Sequence, residues 1–369
     1  MVTVDRPPAN AFVATARRAY NPLGFSKGYN FILWVICGGA LTGFVLARLM
    51  YLNIDGIFCG SGSGGAPPGE CYYYQGKGIE RPGIILHLAG ILPAGLLAVF
   101  QFLPVIRHKV LLIHRISGYA IILLSIIGVI GIGMIARHGL GGGVDLQTAV
   151  GLSTIIFVSC KAIAFYNIKK LQIEQHRAWM LRAWVIASFI ITMRIIGLIM
   201  SYIIGRPSGD YYKVHPCYIV DAMFKHNQTT VEALHPACRA FYSGADPHVQ
   251  VAVHADMTAG RPDTITSAFN LSFGPSAWLA CALHIFAAEL YLRLTPAEAE
   301  RLRRVSYQRQ LEAGMKNPGN AGLTAQRLGD AEPWFPQRNA LRTNLTKNET
   351  QTETETETLG TRQSQAASD

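Results

Sequence analysis

The stretch ISGYAIILLSIIGVIGIGMIA, residues Ile116–Ala136, runs for 21 residues without a charged side chain. At 1.5 Å per residue, an α-helix of this length spans roughly 30 Å, which is the thickness of the hydrocarbon core of a bilayer. Backbone polar groups find no water in that core, so a spanning segment must satisfy its own hydrogen bonds, as a helix does. The stretch therefore predicts a transmembrane helix.

The composition extends this interpretation to the whole chain. Half of the 369 residues are apolar and only 15% are charged, whereas soluble domains carry about 25% charged residues. The formal net charge is +10. No interleaved pattern of aromatic and basic residues accompanies that charge, so we expect the lipid bilayer, and no nucleic acid, as a partner.

Six apolar segments are long enough to cross a membrane, which predicts an all-α integral membrane bundle of about six transmembrane helices. The last segment is the weakest because His284 and Glu289 interrupt it, so a five-span chain is the alternative. The predicted domains are an N-terminal tail at 1–29, a six-span domain at 30–294 with its core at 80–205 and loops at 53–81 and 205–272, and a C-terminal tail at 295–369 with a disordered end. The predicted spans are Asn30–Leu52, Pro82–Pro104, Ile116–Ala136, Leu146–Tyr166, Trp179–Ile204 and Pro275–Leu294.

Basic residues in the short loops predict the orientation. Lys and Arg concentrate in the loops after the second and fourth spans and in both tails, whereas the short loop after the third span has only Arg137. Because cytosolic loops carry an excess of Lys and Arg, we expect both termini in the cytosol, an N-in/C-in topology.

The cysteines fit this topology. Cys59 and Cys71 fall in the first predicted non-cytosolic loop, and Cys217 and Cys238 fall in the last. Cysteine pairs on an oxidising side predict two disulfide bridges, although the sequence leaves open whether Cys59–Cys71 and Cys217–Cys238 are the actual pairs. Asn227 begins a glycosylation sequon in the last loop, which predicts a glycoprotein. These features together predict a membrane of the secretory pathway, either the endoplasmic reticulum or the plasma membrane.

Two intramembrane residues are candidates for catalysis. An ionisable side chain within a span costs at least a few kcal/mol, so it needs a partner or a role. His87, in the second span, is a candidate general acid or base, and Arg194, in the fifth, is a candidate to stabilise negative charge on a substrate. Because a guanidinium cannot lose its charge, a structural ion pair is the alternative for Arg194.

Three further polar residues lie within the predicted spans. Gln101 shares a helical face with His87, which suggests a common interior. His284 is more simply interpreted as a hydrogen-bonded contact between helices. Glu289 is a candidate counter-charge for Lys161, which lies near a membrane interface where a long side chain can also reach water.

Two His-Arg pairs predict a cofactor site. His114-Arg115 opens the third span and His176-Arg177 opens the fifth. Two neutral imidazoles facing each other across a bundle can hold the iron of haem b, while the arginines bind its propionates. No metal beyond that iron is expected. In the alternative, the arginines bind lipid phosphates and the histidines cap helices.

Together these motifs resemble a family of predicted multipass membrane proteins catalogued as domain of unknown function 2306. The resemblance covers roughly residues 80–200, and fungal members of the family also carry extra loops and a polar tail. It implies that the matching His and Arg positions are functional, but it implies no activity. The motifs that carry it are the His87 span, Gln101-Phe102-Leu103-Pro104 with Arg107, His114-Arg115…Gly118-Tyr119, and His176-Arg177-Ala178-Trp179-Met180…Arg182…Arg194.

A looser similarity runs to transmembrane b-type cytochromes. Their ligand histidines usually recur about four turns apart on one helix, and Gln101 stands at that place after His87. The similarity therefore implies at most one haem.

Three functions remain open at this point. The first is a haem-linked transmembrane oxidoreductase that uses His114 and His176. The second is a cofactor-free membrane-embedded isomerase or cyclase that acts on a lipophilic small molecule through His87 and Arg194. The third is a small-molecule transporter or scaffold, although no inverted repeat with broken helices accompanies the six spans. The substrate and the oligomeric state are unknown.

Overall fold

The computed structural model describes residues 7–60, 65–332 and 334–336. Six helical segments in these ranges are long and apolar enough to cross a membrane. This confirms the all-α, six-span fold. The observed spans are Gly28–Leu52, Glu80–Gln101, Leu111–Ile135, Val144–Lys169, Ile173–Ile204 and Pro262–Leu294.

Shorter elements connect the spans. In chain order, the helices are α1 (Ala11–Tyr20), α2 (Gly28–Leu49), α3 (Cys71–Tyr74), α4 (Glu80–Gln101), α5 (Pro104–Lys109), α6 (Leu111–Ile135), α7 (Val144–Lys169), α8 (Ile173–Ala187), α9 (Phe189–Ile204), α10 (Cys217–Met223), α11 (Gln228–Leu234), α12 (Arg239–Tyr242), α13 (Pro262–Leu294) and α14 (Pro296–Glu312). Two strands, β1 (Tyr212–Pro216) and β2 (Gln250–His254), pair antiparallel between α9 and α13.

The sixth span differs from its predicted bounds. It begins at Pro262, so Pro275, the predicted start, lies inside α13. The first turns of α13 are rich in small polar residues, among them Thr266, Ser267 and Asn270, and these side chains are buried. Because protein surrounds them, the helix can extend beyond an apolar segment, which the hydropathy pattern alone would not reveal.

The fifth span also differs, because it consists of two helices rather than one. The break falls at Ser188, between Ala187 at the end of α8 and Phe189 at the start of α9. The Ser188 hydroxyl donates to the carbonyl oxygen of Trp184 at 2.8 Å. A hydroxyl that bonds back to the preceding turn of its own helix often bends that helix.

The chain forms two compact units. The first consists of Met1–Ala162 and Trp179–Leu294, and the second of Ile163–Ala178 and Thr295–Asp369. The predicted disordered end of the C-terminal tail, from residue 337 onward, lies outside the described residues. The N-in/C-in orientation, the domain boundaries and the glycosylation of Asn227 stay predictions.

In the first unit, α4 and α6 pack with their backbones in close approach. A Cβ atom at Gly131 would lie 2.3 Å from the backbone nitrogen of His87, and one at Gly90 would lie 2.5 Å from the nitrogen of Gly128. Small residues allow helices in lipid to come this close, where dispersion contacts hold them together. This contact positions His87 against α6.

A second core of the first unit joins α9 and α13. Met193 and Phe273 pack there with Ala277, Ala280 and their neighbours. Gly197 faces Ser276 across the two helices. This core fixes the position of α9 against α13, and with it the position of Arg194, which directly follows Met193.

Between α9 and α13 the chain folds into a small module, residues 205–261, which we call the loop module. Its two strands pair from Tyr212 opposite His254 to Pro216 opposite Gln250. The Cys217–Cys238 bridge lies in its core, and the Cys59–Cys71 bridge closes the first loop. Both predicted disulfides are therefore confirmed.

In the second unit, buried amides join the α7–α8 turn to the segment after α14. Gln310 donates to the side-chain oxygen of Gln172 at 2.9 Å. Gln172 in turn donates to the carbonyl oxygen of Gly319 at 2.8 Å, and the side-chain oxygen of Asn167 accepts from the backbone of Leu323 at 2.8 Å. Because all three side chains are fully buried, satisfying them specifies a single arrangement of this unit.

Two glycines on α6 test the close packing against α4. We expect Gly131→Ala to lower the melting temperature of the purified protein, because the new methyl group overpacks the contact, at a cost of roughly 1–3 kcal/mol. Gly133→Ala on the same helix is the control, since nothing lies within 4 Å of a Cβ there. Equal melting temperatures for the two variants would contradict the packing.

Candidate functional site

His87 has a defined orientation within the α4–α6 contact. Its Nδ1 lies 2.9 Å from the carbonyl oxygen of Gly128. A carbonyl oxygen can only accept, so Nδ1 carries the proton and Nε2 of the neutral ring is left as an acceptor. This tautomer suits a base, but its action together with Arg194 stays a prediction.

The two histidines predicted to bind haem are also anchored locally. His176 donates from Nδ1 to the carbonyl oxygen of Ala164 at 3.0 Å. The backbone of His114 accepts from the Gln101 amide at 3.2 Å, and that amide also contacts Ser117. The convergence of the two rings, with Arg115 and Arg177 beside them, stays a prediction.

His284 makes the helix contact that the sequence suggested. Its Nδ1 donates to the carbonyl oxygen of Val185 at 2.5 Å, and its Nε2 accepts from the Thr192 hydroxyl at 2.9 Å. Both ring nitrogens are thus occupied. The residue ties α13 to α8 and α9 and has no nitrogen left for a ligand.

The predicted counter-charge of Glu289 is wrong. Glu289 pairs with Arg182 through two hydrogen bonds, of 2.6 and 3.0 Å. Lys161 instead lies between the rings of Phe157 and Trp184, 4.3 and 4.4 Å from their centroids, and donates to Ser125. The bidentate fork of a guanidinium suits a carboxylate better than an ammonium does, which favours Arg182.

Arg194 lies beside a carboxylate that the sequence analysis did not select. Its positive charge interacts with Glu70, which comes from the loop before α3. On the other side, the guanidinium faces the ring of Phe273 on α13 at 5.7 Å from the centroid. Arg194 is partly exposed, whereas its Nε is buried without a hydrogen-bond partner.

Glu70 is held by a backbone cradle. Its carboxylate accepts from the N–H groups of Leu140 and Gly141, at a turn where Leu140, Gly141 and Gly142 all have positive φ. Successive N–H groups in such turns form concave binding sites for anions. Glu70 is only 7% exposed, and its Oε1 has no partner.

Asn270 and Tyr74 complete the cluster. A Cβ at Gly141 would lie 2.2 Å from Cγ of Asn270, so the turn that holds Glu70 also touches this amide. Asn270 is buried and its Oδ1 has no partner. Tyr74 is buried too, and its hydroxyl lies 3.4 Å from the Cβ position of Gly139. We call these four residues (Glu70, Tyr74, Arg194 and Asn270) the polar cluster.

The electrostatics of the cluster favour proton exchange at Glu70. Burial raises the pKa of Glu70 from 4.5 to about 7, although Arg194 and the backbone N–H groups of Leu140 and Gly141 limit the rise. Burial and the nearby Glu70 charge keep the pKa of Tyr74 well above its usual value, so the phenol stays protonated. A carboxyl group with a pKa near 7 can both donate and accept a proton at neutral pH.

Sequence reasoning found Arg194 but missed the other three residues of the polar cluster. Glu70 directly precedes Cys71, and the Cys59–Cys71 bridge shortens the first loop. The one sequence feature that could have indicated Glu70 is its place next to a predicted disulfide. Nothing in the sequence indicated that this loop reaches Arg194, because the two residues are far apart in the chain.

His138, two residues before Leu140, contacts residues outside the polar cluster. His138 pairs with Glu80 at 2.8 Å and stacks on Tyr73, with 4.0 Å between ring centroids. Among the described residues, no group of three or more His, Cys, Asp or Glu side chains is arranged to hold a metal ion. The polar cluster is therefore the best-defined group of chemically active side chains.

Comparison with known proteins finds a relative of this chain and a matching family model. A protein from Aspergillus versicolor named Ava biosynthesis cluster protein G is 24% identical over 337 residues, which cover 78% of this chain and 95% of that relative. No solved structure matches the chain, so the looser similarity to b-type cytochromes stays a prediction.

The family model that matches is described as a predicted membrane protein, DUF2306, and it covers residues 84–220. Within the polar cluster, Arg194 lies inside this segment, whereas Glu70, Tyr74 and Asn270 lie outside it. The resemblance predicted from the His and Arg motifs is confirmed, because residues 84–220 of this multipass membrane protein match the DUF2306 model.

Proposed function

We propose that the protein is a membrane-embedded biosynthetic enzyme that transfers a proton on a lipophilic carbonyl compound, without a cofactor. Glu70 is the acid–base group and Arg194 stabilises negative charge. One observation carries the proposal: Glu70, Arg194 and Asn270 form one cluster, and each has a buried polar atom without a hydrogen-bond partner. Buried polar groups are nearly always paired, so such a group points to a ligand.

The reaction follows from the chemistry of these groups. The Glu70 carboxylate removes a proton from a carbon next to the carbonyl of the substrate. Negative charge develops on the carbonyl oxygen, where Arg194 stabilises it, as a preorganised cation does in a water-poor site. In a substrate with a carbon–carbon double bond between its β- and γ-carbons, the negative charge is shared with the γ-carbon, and Glu70 returns the proton there. The double bond moves into conjugation with the carbonyl, which gives an isomer and regenerates the carboxylate.

Two further observations support this reading. Arg194 and Glu70 interact electrostatically, yet no direct ion pair joins them among the described residues. Their charges therefore remain able to act on a third group. The printed name of the Aspergillus relative refers to a biosynthesis cluster, which favours an enzyme of small-molecule metabolism over a scaffold.

The first prediction concerns metabolites. In cells that lack the endogenous protein, we expect Glu70→Gln and Arg194→Met to accumulate the same compound as the deletion strain, with turnover reduced by about 100-fold or more. Mass spectrometry of cell extracts measures this. The exposed residues Asp210 and Arg206 provide matched controls as Asp210→Asn and Arg206→Met. Loss of turnover in His87→Ala but not in Glu70→Gln would contradict the role of Glu70.

The second prediction concerns stability. Because the pKa of Glu70 is higher in the folded protein than in the unfolded chain, ionising it disfavours folding. The contribution of Glu70 to stability should therefore be greatest below pH 4.5 and fall as the pH rises to about 7. The expected loss is about 3 kcal/mol.

Melting temperatures of purified protein across this pH range test the stability prediction. The unaltered protein should lose stability with rising pH relative to Glu70→Gln, in which this group cannot ionise. Parallel melting curves for the two proteins at every pH would show that Glu70 ionises in the folded state as easily as in water.

A further inference from the structure

A cavity of about 260 Å³ lies between α7, α8 and α13, in the first compact unit. Its size is slightly below the usual range of ligand pockets, roughly 300–1,000 Å³. Arg182, at the cavity, and Arg194, in the polar cluster, are separated by twelve residues along α8 and α9. At 1.5 Å per residue, this is about 18 Å, so the cavity is a separate site.

The walls of the cavity divide into an apolar part and a polar part. Ile156, Ile186 and Ile285 line it from three helices. One helical turn away on α8 and α13 are Arg182 and Glu289, and Trp179 lies beside them. The two helices run antiparallel here, since Arg182 pairs with Glu289 while Val185, further along α8, contacts His284, which comes earlier in α13. Ile186 and Ile285 therefore lie at one end of the cavity, and Arg182 and Glu289 lie at the other.

The charged pair at the polar end is already neutralised. Arg182 donates from Nε and Nη2 to the two carboxylate oxygens of Glu289, at 2.6 and 3.0 Å. The face of its guanidinium lies on the ring of Trp179, 4.6 Å from the centroid. Its Nη1 makes no hydrogen bond among the described residues.

These features define the chemistry of an occupant. An anionic head group would meet the carboxylate of Glu289, and a cationic one would meet the guanidinium of Arg182. An uncharged hydroxyl or keto oxygen can accept a hydrogen bond from Nη1 without placing a charge beside one of the same sign. The isoleucines at the other end favour an apolar body.

We propose that this cavity binds an uncharged amphiphile, a compact apolar chain or ring that carries a single hydroxyl or keto group. Arg182 donates to its oxygen, and Glu289 sets the preference for a neutral head group by occupying the rest of the guanidinium. This binding does not require the proton transfer at Glu70.

Photolabelling of the purified full-length protein tests the proposal. The probes are a diazirine-bearing alcohol with a short alkyl chain, small enough for the cavity, and the carboxylic acid of the same length. We expect the alcohol to label the peptides that contain Cys160 and Ile186 about tenfold more than the acid does, since only the alcohol avoids Glu289. Ala288→Trp should abolish this labelling by filling the cavity. Ile155→Trp should not, because Ile155 is 65% exposed on another face of α7.

One variant changes the preference itself. Glu289→Gln removes the negative charge and leaves the guanidinium for an anion, so the acid should then label better than the alcohol. A measurement that needs no variant is the rate at which N-ethylmaleimide alkylates Cys160, a cavity-lining thiol, which the alcohol should slow.

Equal labelling by both probes, unaffected by Ala288→Trp, together with unchanged alkylation of Cys160, would mean that the cavity only contacts bulk lipid, and would overturn the proposal. Glu70→Gln should leave the labelling unchanged. Failure of the proton-transfer proposal and failure of this one are therefore distinguishable.

Discussion

The structure depends on one constraint, the cost of placing charged and polar groups where no water reaches them. Three cations within the spans meet this constraint differently. Arg182 pairs with a carboxylate on a facing helix, and Lys161 lies between two aromatic rings with one hydroxyl partner. Arg194 has neither a carboxylate on a facing helix nor a hydroxyl partner. The carboxylate beside it, Glu70, lies in a loop.

This difference separates structural charges from functional ones. The Arg182–Glu289 pair is satisfied within the protein, so it stabilises α8 against α13 and limits what a neighbouring ligand can carry. The polar cluster retains buried atoms without partners and a carboxyl group whose pKa is about 7. A group that remains costly to bury and able to exchange protons is a candidate for chemistry.

The placement of Glu70 relies on several elements outside the spans. The Cys59–Cys71 bridge constrains the first loop, and the turn at Leu140–Gly142 supplies the N–H groups that bind the carboxylate. α13 contributes Asn270 from a turn that precedes the predicted sixth span. The loops are therefore part of the candidate site and not only connections between helices.

The sequence by itself determined the six spans, the four cysteines that form disulfides and the resemblance of residues 84–220 to the DUF2306 family. Each follows from local information: a long apolar run, cysteines in predicted loops on one side, or motifs such as His176-Arg177. It also selected Arg194, because a permanent charge in a span demands an explanation. Only the tertiary structure decided that Glu289 pairs with Arg182 rather than Lys161, that Glu70 lies beside Arg194, and that Asn270 touches the turn that holds Glu70. Such contacts join residues far apart in the chain, and hydropathy and motif spacing carry no information about which distant side chains meet.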